Sequence, residues 1–293
     1  MTPASMLAAL VVVVIWGLNF VAAKVGVTAI PPLAFMAIRF FLVALLLAPF
    51  FRPRRSHFVT LLVISTLLGV GHFGLMFLGI NGVDAATAAI ANQLVVPFSA
   101  IMAAMFFNDR LGWRRSGGMA LAFSGVALLA GEPTLPAILP LLMVVSAALA
   151  WAVANVAIKK LGAVPPLVMN GWMALFAAPQ LLLLSLIFEE GQTAAVVEAA
   201  WTAWAALAFT VLGASIIAYT LWYQLVTRYD LNQIVPFTLL GPVIGVASGI
   251  VLLGEPFTWQ KAVGGALTIL GVAIIQMGAP RRRRSPSENE ARA

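Results

Sequence analysis

Two tryptophans, Trp16 and Trp151, lie near the middle of long apolar runs, and each has an asparagine on its own helical face. Asn19 follows Trp16 by three residues and Asn155 follows Trp151 by four, so each pair shares a face if the run is helical. An amide inside hydrocarbon needs hydrogen-bonding partners. We therefore predict that these four side chains line a substrate-binding cavity. The alternatives are aromatic helix packing and hydrogen bonding between helices.

Two other runs carry polar or adaptable side chains that could contact the same substrate. One contains His72 and Met76, and the other contains Tyr219, Trp222 and Tyr223. An ionisable side chain inside a membrane is by default a candidate functional residue, and we assign all five to the binding site. If a proton takes part in function, His72 is the one histidine in an apolar run that could carry it. The alternative is a neutral imidazole bonded to a neighbouring helix.

Two amide pairs stand shortly before prolines: Asn92 and Gln93 precede Pro97, and Asn232 and Gln233 precede a proline in the second half. Proline removes a helical hydrogen bond, and the carbonyl that it frees is tolerated inside a membrane where it lines a cavity. We therefore add Asn92 and Gln93 to the predicted binding site. Kinks with no ligand role are the alternative.

Arg39 lies inside the second apolar run, about 9 Å from its nearer end at 1.5 Å per residue. Full burial of its charge would cost about 2.5–3.5 kcal/mol on an insertion scale. We therefore expect the guanidinium to snorkel outward or to bond backbone carbonyls. This structural role is favoured over a clamp for a substrate carboxylate.

Several kinds of chemistry are excluded because their motifs are missing. The sequence contains no GxxxxGK[ST] phosphate loop, no HExxH motif and no GxSG elbow. It also lacks cysteine, so thiolate metal sites and thiol nucleophiles are ruled out. We predict a protein that is not an enzyme and that needs no cofactor or metal.

The elements that must position these residues are long apolar helices. The 293-residue chain is 62% hydrophobic and 9% charged, whereas soluble domains carry about 45–50% and about 25%. The apolar runs are continuous, and a membrane β-barrel would instead need strands of alternating polarity. The predicted fold class is an all-α membrane protein with ten transmembrane helices. The runs cover residues 5–23, 33–51, 58–80, 85–107, 116–131, 137–158, 164–188, 203–226, 233–253 and 260–278.

The distribution of Lys and Arg predicts the orientation of the chain in the membrane. If both termini share one side, that side receives every Lys and Arg of the connections except Lys24 and Lys261. The positive-inside rule then places both termini in the cytoplasm. The run Arg281 to Arg284 is typical of an anchor to anionic lipid, so the predicted partner is the bilayer and not nucleic acid.

The two halves of the sequence repeat each other. Trp16 matches Trp151, while Asp84, Gly118 and Gly125 match residues 146 positions later. Because each half holds five runs, matched runs cross the membrane in opposite directions, and such inverted repeats are characteristic of secondary transporters. We divide the chain into a first repeat, residues 1–136, a second, inverted repeat, residues 137–280, and a basic, disordered cytoplasmic tail, residues 281–293.

Small residues and terminal tryptophans fit ordinary membrane roles. Gly241, Gly245 and Gly249 form a ridge of small residues, for which we predict close helix packing, and Gly118 with Ala122 and Gly264 with Thr268 form similar pairs. Trp113 and Trp259 stand near the ends of runs, where interfacial tryptophans belong.

Several short segments of the sequence match the pattern of a known family. They are Trp16-Gly17-Leu18-Asn19-Phe20, Pro31-Pro32, Arg39-Phe40-Phe41 and Leu253-Gly254-Glu255-Pro256, followed by Gly264 and Gly271. With them the sequence resembles the EamA-type drug/metabolite transporters over about residues 5 to 278, and within them it is most similar to YddG-type bacterial aromatic amino acid exporters. The resemblance implies five-plus-five inverted helices and export across the inner membrane. In the first half the chain departs from the pattern with Asn108-Asp109-Arg110, where the second half has Gly254-Glu255-Pro256; the difference concerns a helix end.

We therefore expect a secondary-active or facilitative exporter of small amphiphilic metabolites, with aromatic and other neutral amino acids as its substrates, that works by alternating access around a midplane cavity. The alternatives are an exporter of drugs, quaternary ammonium compounds or other metabolites, and a membrane receptor that transports nothing. A channel would be expected to show rings of charge or a filter of carbonyls, and the sequence has neither. No particular oligomeric state or coupling ion is predicted.

Overall fold

The protein is described from a computed structural model, which covers residues 1–109, 111–133, 137–161, 164–229 and 231–277. These residues form helices joined by short connections, and none of them forms a strand. In chain order the helices are α1 Pro3–Ala29, α2 Pro32–Leu47, α3 Arg55–Gly82, α4 Ala85–Phe107, α5 Trp113–Leu129, α6 Ile138–Leu161, α7 Pro166–Phe188, α8 Gln192–Glu198, α9 Trp201–Arg228, α10 Leu231–Thr238, α11 Leu240–Leu253 and α12 Trp259–Met277.

Eight helical segments of the described chain are long and apolar enough to cross a membrane. They are α1, α3, α4, α6, α7, α9, the stretch Pro236–Leu253 and α12. Helix α2 is apolar but has 16 residues, which at 1.5 Å per residue is about 24 Å. Helix α5 has 17 residues and begins with Trp-Arg-Arg. The prediction of an all-helical membrane protein is thus confirmed.

Helices of the first half pack chiefly against helices of the second half. The main contacts join α5 to α12, α2 to α7, α1 to α11 and α3 to α6. Between α5 and α12 the backbones approach closely, because a Cβ on Gly118 would lie 2.8 Å from the carbonyl oxygen of Gly271 and one on Gly125 would lie 2.5 Å from that of Gly264. These glycines therefore have the predicted packing role.

Two of the long helices are locally widened, a feature that the sequence analysis does not predict. Residues Ser65–Gly74 within α3 and Phe209–Ile217 within α9 are π-helical. Widened turns of this kind are frequent at functional sites, because they redirect side chains out of the regular helical ladder. Both segments border the cavity described below.

The predicted irregularity before the prolines is confirmed. Asn92–Leu94 form a tightened 3₁₀ turn within α4, directly before Pro97, whose missing N–H leaves the carbonyl of Gln93 without its helical donor. In the second half, α10 ends at Thr238 and α11 begins at Leu240, two residues before Pro242. The side chain of Asn232 lies outside the described residues.

The departure from the family pattern at Asn108 leaves the helix end unchanged. Asn108 ends α4 with a φ of 52°, and Gly254 ends α11 with a φ of 68°. The next residue in each case bonds six positions back, Asp109 to the carbonyl of Ala103 and Glu255 to that of Gly249. Asparagine is the residue after glycine that best tolerates this left-handed conformation, so both helices end alike.

Candidate functional site

A cavity of about 480 Å³ lies among the helices, within the usual range for small-molecule sites. Side chains from both halves of the chain line it. All eleven residues assigned to the binding site from sequence border this one space, whereas their role in binding stays a prediction. They are Trp16, Asn19, His72, Met76, Asn92, Gln93, Trp151, Asn155, Tyr219, Trp222 and Tyr223.

One side of the cavity is an aromatic cluster built by α1 and α9. The Trp16 ring lies 5.5 Å from the ring of Tyr219 and 5.3 Å from that of Trp222, both distances between centroids. Tyr219 and Tyr223 stack at 5.9 Å. Tilted and edge-on arrangements are preferred geometries of aromatic pairs. An aromatic ring that enters the cavity would therefore contact both the faces and the edges of these side chains.

A second aromatic cluster is built by α3 and α6. The imidazole of His72 stands edge-on to Phe73 and to Trp151, with centroids 4.7 Å apart in both cases. Its Nδ1 lies 2.8 Å from the carbonyl oxygen of Ala147. Because a carbonyl can only accept, Nδ1 carries the proton, and in the neutral ring Nε2 is then the acceptor. His72 is thus buried and bonded to a neighbouring helix.

The amide groups give the cavity its hydrogen-bonding capacity. Asn19 Oδ1 and Asn92 Oδ1 are buried and have no hydrogen-bond partner among the residues that the structure describes. A buried amide oxygen without a donor costs about 1–3 kcal/mol, so water or a ligand with an N–H or O–H is the expected partner. Asn155 is exposed, and it therefore lies at the open part of the cavity.

Several lining residues were not identified from sequence. Asn170 of α7 donates from Nδ2 to the carbonyl oxygen of Ser215 at 2.6 Å, and Met169, Met173 and Thr238 also border the cavity. Asn170 and Ser215 are polar residues within apolar runs, which is the signal that pointed to Asn19. They could not be assigned to the site from sequence, because their helical faces carry no aromatic residue that recurs at the matching position of the other half.

Arg39 does not behave as expected, since it neither snorkels nor bonds a carbonyl. Its side chain is 2% exposed, and its Nε and Nη2 donate to Ser215 Oγ at 3.3 and 3.0 Å. The guanidinium carbon lies 5.3 Å from the centre of the Phe73 ring and 5.4 Å from that of Phe77. The mid-helix position prevents the side chain from reaching either interface, so aromatic faces and a hydroxyl hold the charge instead.

A cluster of ionised side chains lies at the end of the bundle where α3 meets α4. Lys261 is 1% exposed and forms ion pairs with Asp84 and, at 2.9 Å, with Glu132. Thr87 and Thr258 donate to the same Glu132 carboxylate. We call Lys261, Asp84 and Glu132 the Lys261 cluster.

Helix termini at the same end are held by charges of the complementary sign. Lys24 Nζ donates to the carbonyl oxygens of Ile80, Asn81 and Val83 at 2.9–3.0 Å, at the carboxyl end of α3. The Glu255 carboxylate accepts from the N–H groups that begin α4, those of Ala85 and Ala86. Both arrangements match the helix dipole. They tie the carboxyl end of α3 to α1, and the start of α4 to the connection between α11 and α12.

The predicted glycine ridge on α11 packs closely at two of its three positions. A Cβ on Gly245 would lie 2.6 Å from the Cβ of Ala89, and one on Gly249 would meet Glu255. A Cβ on Gly241 would meet no atom within 4 Å, and Gly241 lines the cavity. A Cβ at Gly241 therefore has room, whereas the Gly241 carbonyl oxygen would lie only 3.1 Å from a Cβ on Gly17 of α1.

A second recess, of about 580 Å³, lies near the carboxyl end of α2 and stands apart from the candidate site. Phe41, Leu45, Arg52, Phe58 and Trp172 are among the residues that line it. Trp172 donates from its indole nitrogen to the carbonyl oxygen of Phe51 at 2.7 Å. None of the residues assigned to the binding site borders this recess.

Comparison with known proteins identifies relatives of this chain. The EamA-like transporter family matches residues 3–131 and again residues 138–277. A Salmonella typhimurium protein named probable amino-acid metabolite efflux pump is 35% identical over 287 residues, or 94% of this chain and 95% of that protein. An Escherichia coli protein of the same name is 33% identical over 281 residues, or 92% and 94%. A solved structure with 20% identity and a TM-score of 0.62 shares the fold over 97% of this chain and 100% of its own. The chain belongs to the EamA-like transporter family.

Proposed function

We propose that the chain forms ten transmembrane helices arranged as two inverted five-helix repeats, residues 1–136 and 137–280. The contacts between α5 and α12 support this arrangement. Gly118 meets Gly271, and Gly125 meets Gly264. The offset of 146 residues between the halves relates Gly118 to Gly264 and Gly125 to Gly271, so it converts the first contact into the second. A contact that maps onto itself in this way is what a two-fold relation between the halves requires.

The aromatic residues that line the cavity fit the same two-fold relation. Trp16 of α1 packs on Tyr219 of α9 at 5.5 Å, and Trp151 of α6 packs on Phe73 of α3 at 6.2 Å. Trp151 is the repeat partner of Trp16, and Tyr219 is that of Phe73. The proposed axis therefore passes through the binding space, near the midplane, which is where inverted-repeat transporters hold their substrates.

For function, we propose a secondary-active or facilitative exporter of aromatic and other neutral amino acids and related small amphiphilic metabolites. The observation that carries this proposal is one cavity lined by two aromatic clusters and by unpartnered amide oxygens. Two relatives that align over more than 90% of this chain are named amino-acid metabolite efflux pumps, which supports an amino acid as the substrate and export as the direction.

The cavity offers a separate partner for each part of such a substrate. An aromatic side chain stacked against Trp16 or Trp151 gains about 0.5–1.5 kcal/mol per ring pair beyond the burial of its area. An ammonium over a Trp face gains about 0.5–2 kcal/mol, and Asn19 Oδ1 and Asn92 Oδ1 can accept its N–H groups. Smaller neutral amino acids would keep the polar contacts and lose the stacking.

We propose that transport proceeds by alternating access. In the proposed cycle the Lys261 cluster, together with Lys24 and Glu255 at the termini of α3 and α4, keeps one end closed, while the exposed Asn155 lies at the open part of the cavity. Under the proposed orientation both termini are cytoplasmic and the closed end faces outward. Opening to the outside would then require separation of the Lys261 cluster, with a loss of open access on the cytoplasmic side of a bacterial inner membrane.

Transport by the purified protein in liposomes tests the proposal. We expect saturable uptake of radiolabelled tryptophan, weaker uptake of threonine and little uptake of a quaternary ammonium compound. Liposomes without protein give the background. If none of the three compounds shows saturable flux above that background, the transport proposal is refuted and the receptor interpretation is favoured.

A further inference from the structure

Arg39 is a buried positive charge without a negative partner among the described residues. Four charged residues of the described chain are almost fully buried: Arg39, Glu132, Glu255 and Lys261. Glu132 and Lys261 form an ion pair, and Glu255 accepts from two backbone N–H groups at the start of α4. No acidic side chain in the described ranges comes within ion-pair distance of Arg39. A buried charge without a counter-charge is costly, so an anion that reaches Arg39 would be stabilised.

The guanidinium also has unused hydrogen-bonding capacity. It carries five N–H donors, and its contacts are two bonds to Ser215 Oγ and a long contact of 3.9 Å from Nη1 to Met36 Sδ. Ser215 Oγ itself donates to the carbonyl oxygen of Thr210, and this bond belongs to the π-helical segment of α9. Two N–H groups are therefore left without a protein acceptor among the described residues.

The charge lies directly behind the cavity wall. Ser215, Phe73 and Phe77 contact the guanidinium and also line the cavity. One hydroxyl and two rings thus separate Arg39 from the binding space. In a low-dielectric interior the charge acts across this distance even without direct contact.

The described residues that line the rest of the cavity carry no opposing charge. None of the cavity-lining residues in the described part of the chain is an Asp or a Glu. A site with a buried cation at its wall and no carboxylate favours anions and opposes cations, because neither effect is screened there as it is in water.

We propose that Arg39, with Ser215 in front of it, forms the subsite for the substrate carboxylate, and that its charge makes the cavity select carboxylate-bearing molecules over cationic amines. This inference rests on the proposed amino acid transport and adds the group that is recognised. It orients the substrate with its carboxylate toward α2 and α9 and its ammonium toward the asparagine oxygens of α1 and α4. It also accounts for the charge, since the bound carboxylate is the missing partner.

A series of three compounds tests the inference on the wild-type protein. In proteoliposomes, unlabelled phenylalanine, 3-phenylpropionate and phenethylamine compete with radiolabelled phenylalanine. The last two lack the ammonium and the carboxylate respectively. We expect 3-phenylpropionate to compete and phenethylamine to compete at least roughly tenfold less well than phenylalanine, because it lacks a charged hydrogen-bonding partner for Arg39. Equal competition by phenylalanine and phenethylamine overturns the inference and leaves amino acid transport standing.

Variants at the same position separate charge from packing. Arg39→Met keeps a flexible apolar side chain among the phenylalanine rings and should abolish the discrimination, so that phenylalanine and phenethylamine compete within about threefold of each other. Arg39→Lys keeps the charge and should restore part of the preference. Arg228→Met, which removes an exposed charge, is the control and should behave like wild type.

The outcomes distinguish the inference from the function on which it rests. If Arg39→Met folds, as judged by size-exclusion chromatography, and still prefers phenylalanine tenfold, Arg39 is structural. If the variant does not fold, the wild-type series alone decides the matter. If wild type moves quaternary ammonium compounds and no amino acid, the proposed function fails together with the subsite.

Discussion

Replacement of Lys261 by methionine should open the closed end of the cavity. Lys261 holds Asp84 and Glu132 in a buried cluster, and removal of one partner of a buried ion pair typically costs about 3–5 kcal/mol. In an outward-open state the same groups are hydrated, and exposed pairs contribute about 0–1 kcal/mol. The substitution therefore penalises the closed state by about 2–5 kcal/mol more than the open state.

That difference shifts the equilibrium between the two states by a factor of roughly 30 to several thousand. A minor open state of about 1% would become a substantial or dominant population. The double substitution Lys261→Met with Glu132→Gln removes the stranded charge and should reverse much of the shift, because Asp84 keeps 24% side-chain exposure and remains partly hydrated.

The absence of cysteine from the sequence makes the assay direct. Val96, which lines the cavity, is replaced by cysteine, and its labelling by a membrane-impermeant maleimide is followed from the outside. We expect labelling to accelerate at least tenfold in the Lys261→Met background. A cysteine at the exposed Val197 is the control and should label equally in both backgrounds. An unchanged Val96→Cys rate, alongside lower thermal stability, would show that the Lys261 cluster only stabilises the fold.

The other predictions concern packing, hydrogen bonding and orientation. Gly241→Ala should fold normally and selectively reduce transport of large substrates. Gly245→Ala should lower expression, because its Cβ would overlap Ala89. If the two variants have equal effects on transport and on the thermal unfolding temperature, this contrast is contradicted. His72→Gln should keep flux, since an amide can donate to the carbonyl that His72 bonds, and should remove whatever part of the pH dependence of transport comes from this imidazole; an unchanged pH profile would assign His72 a structural role. Reporter fusions should place residue 284 in the cytoplasm and the loop at residues 189–198 outside; the same side for both would refute the inverted repeat.

The sequence was sufficient to predict eleven of the side chains that share the cavity. Spacing along a helix fixes the face that carries Trp16 and Asn19 and the face that carries Trp151 and Asn155, and the offset of 135 residues between the halves relates Trp16 to Trp151. These are local and repetitive signals. The structure brings the residues of this pattern to one space, as the proposed two-fold relation between the halves requires.

Contacts across helices could not be predicted in the same way. The environment of Arg39 depends on a π-helical turn of α9 that presents Ser215, and no sequence rule used for the spans encodes that turn. Gly241 shares its spacing with Gly245, yet the bend before it leaves open space on one side. Such differences arise from where helices bend and how they cross, which depends on the whole assembly.

The central claim is that Trp16 and Trp151 form walls of a site for aromatic substrates. Proteoliposomes that contain Trp16→Ala or Trp151→Ala should take up tryptophan roughly tenfold more slowly than wild type at low concentration, equivalent to about 1.4 kcal/mol, with expression retained. Trp113→Ala and Trp259→Ala, at exposed positions where helices begin, should change uptake little. Comparable losses at all four positions, or unaltered uptake after replacement of Trp16 and Trp151, would contradict the proposed site.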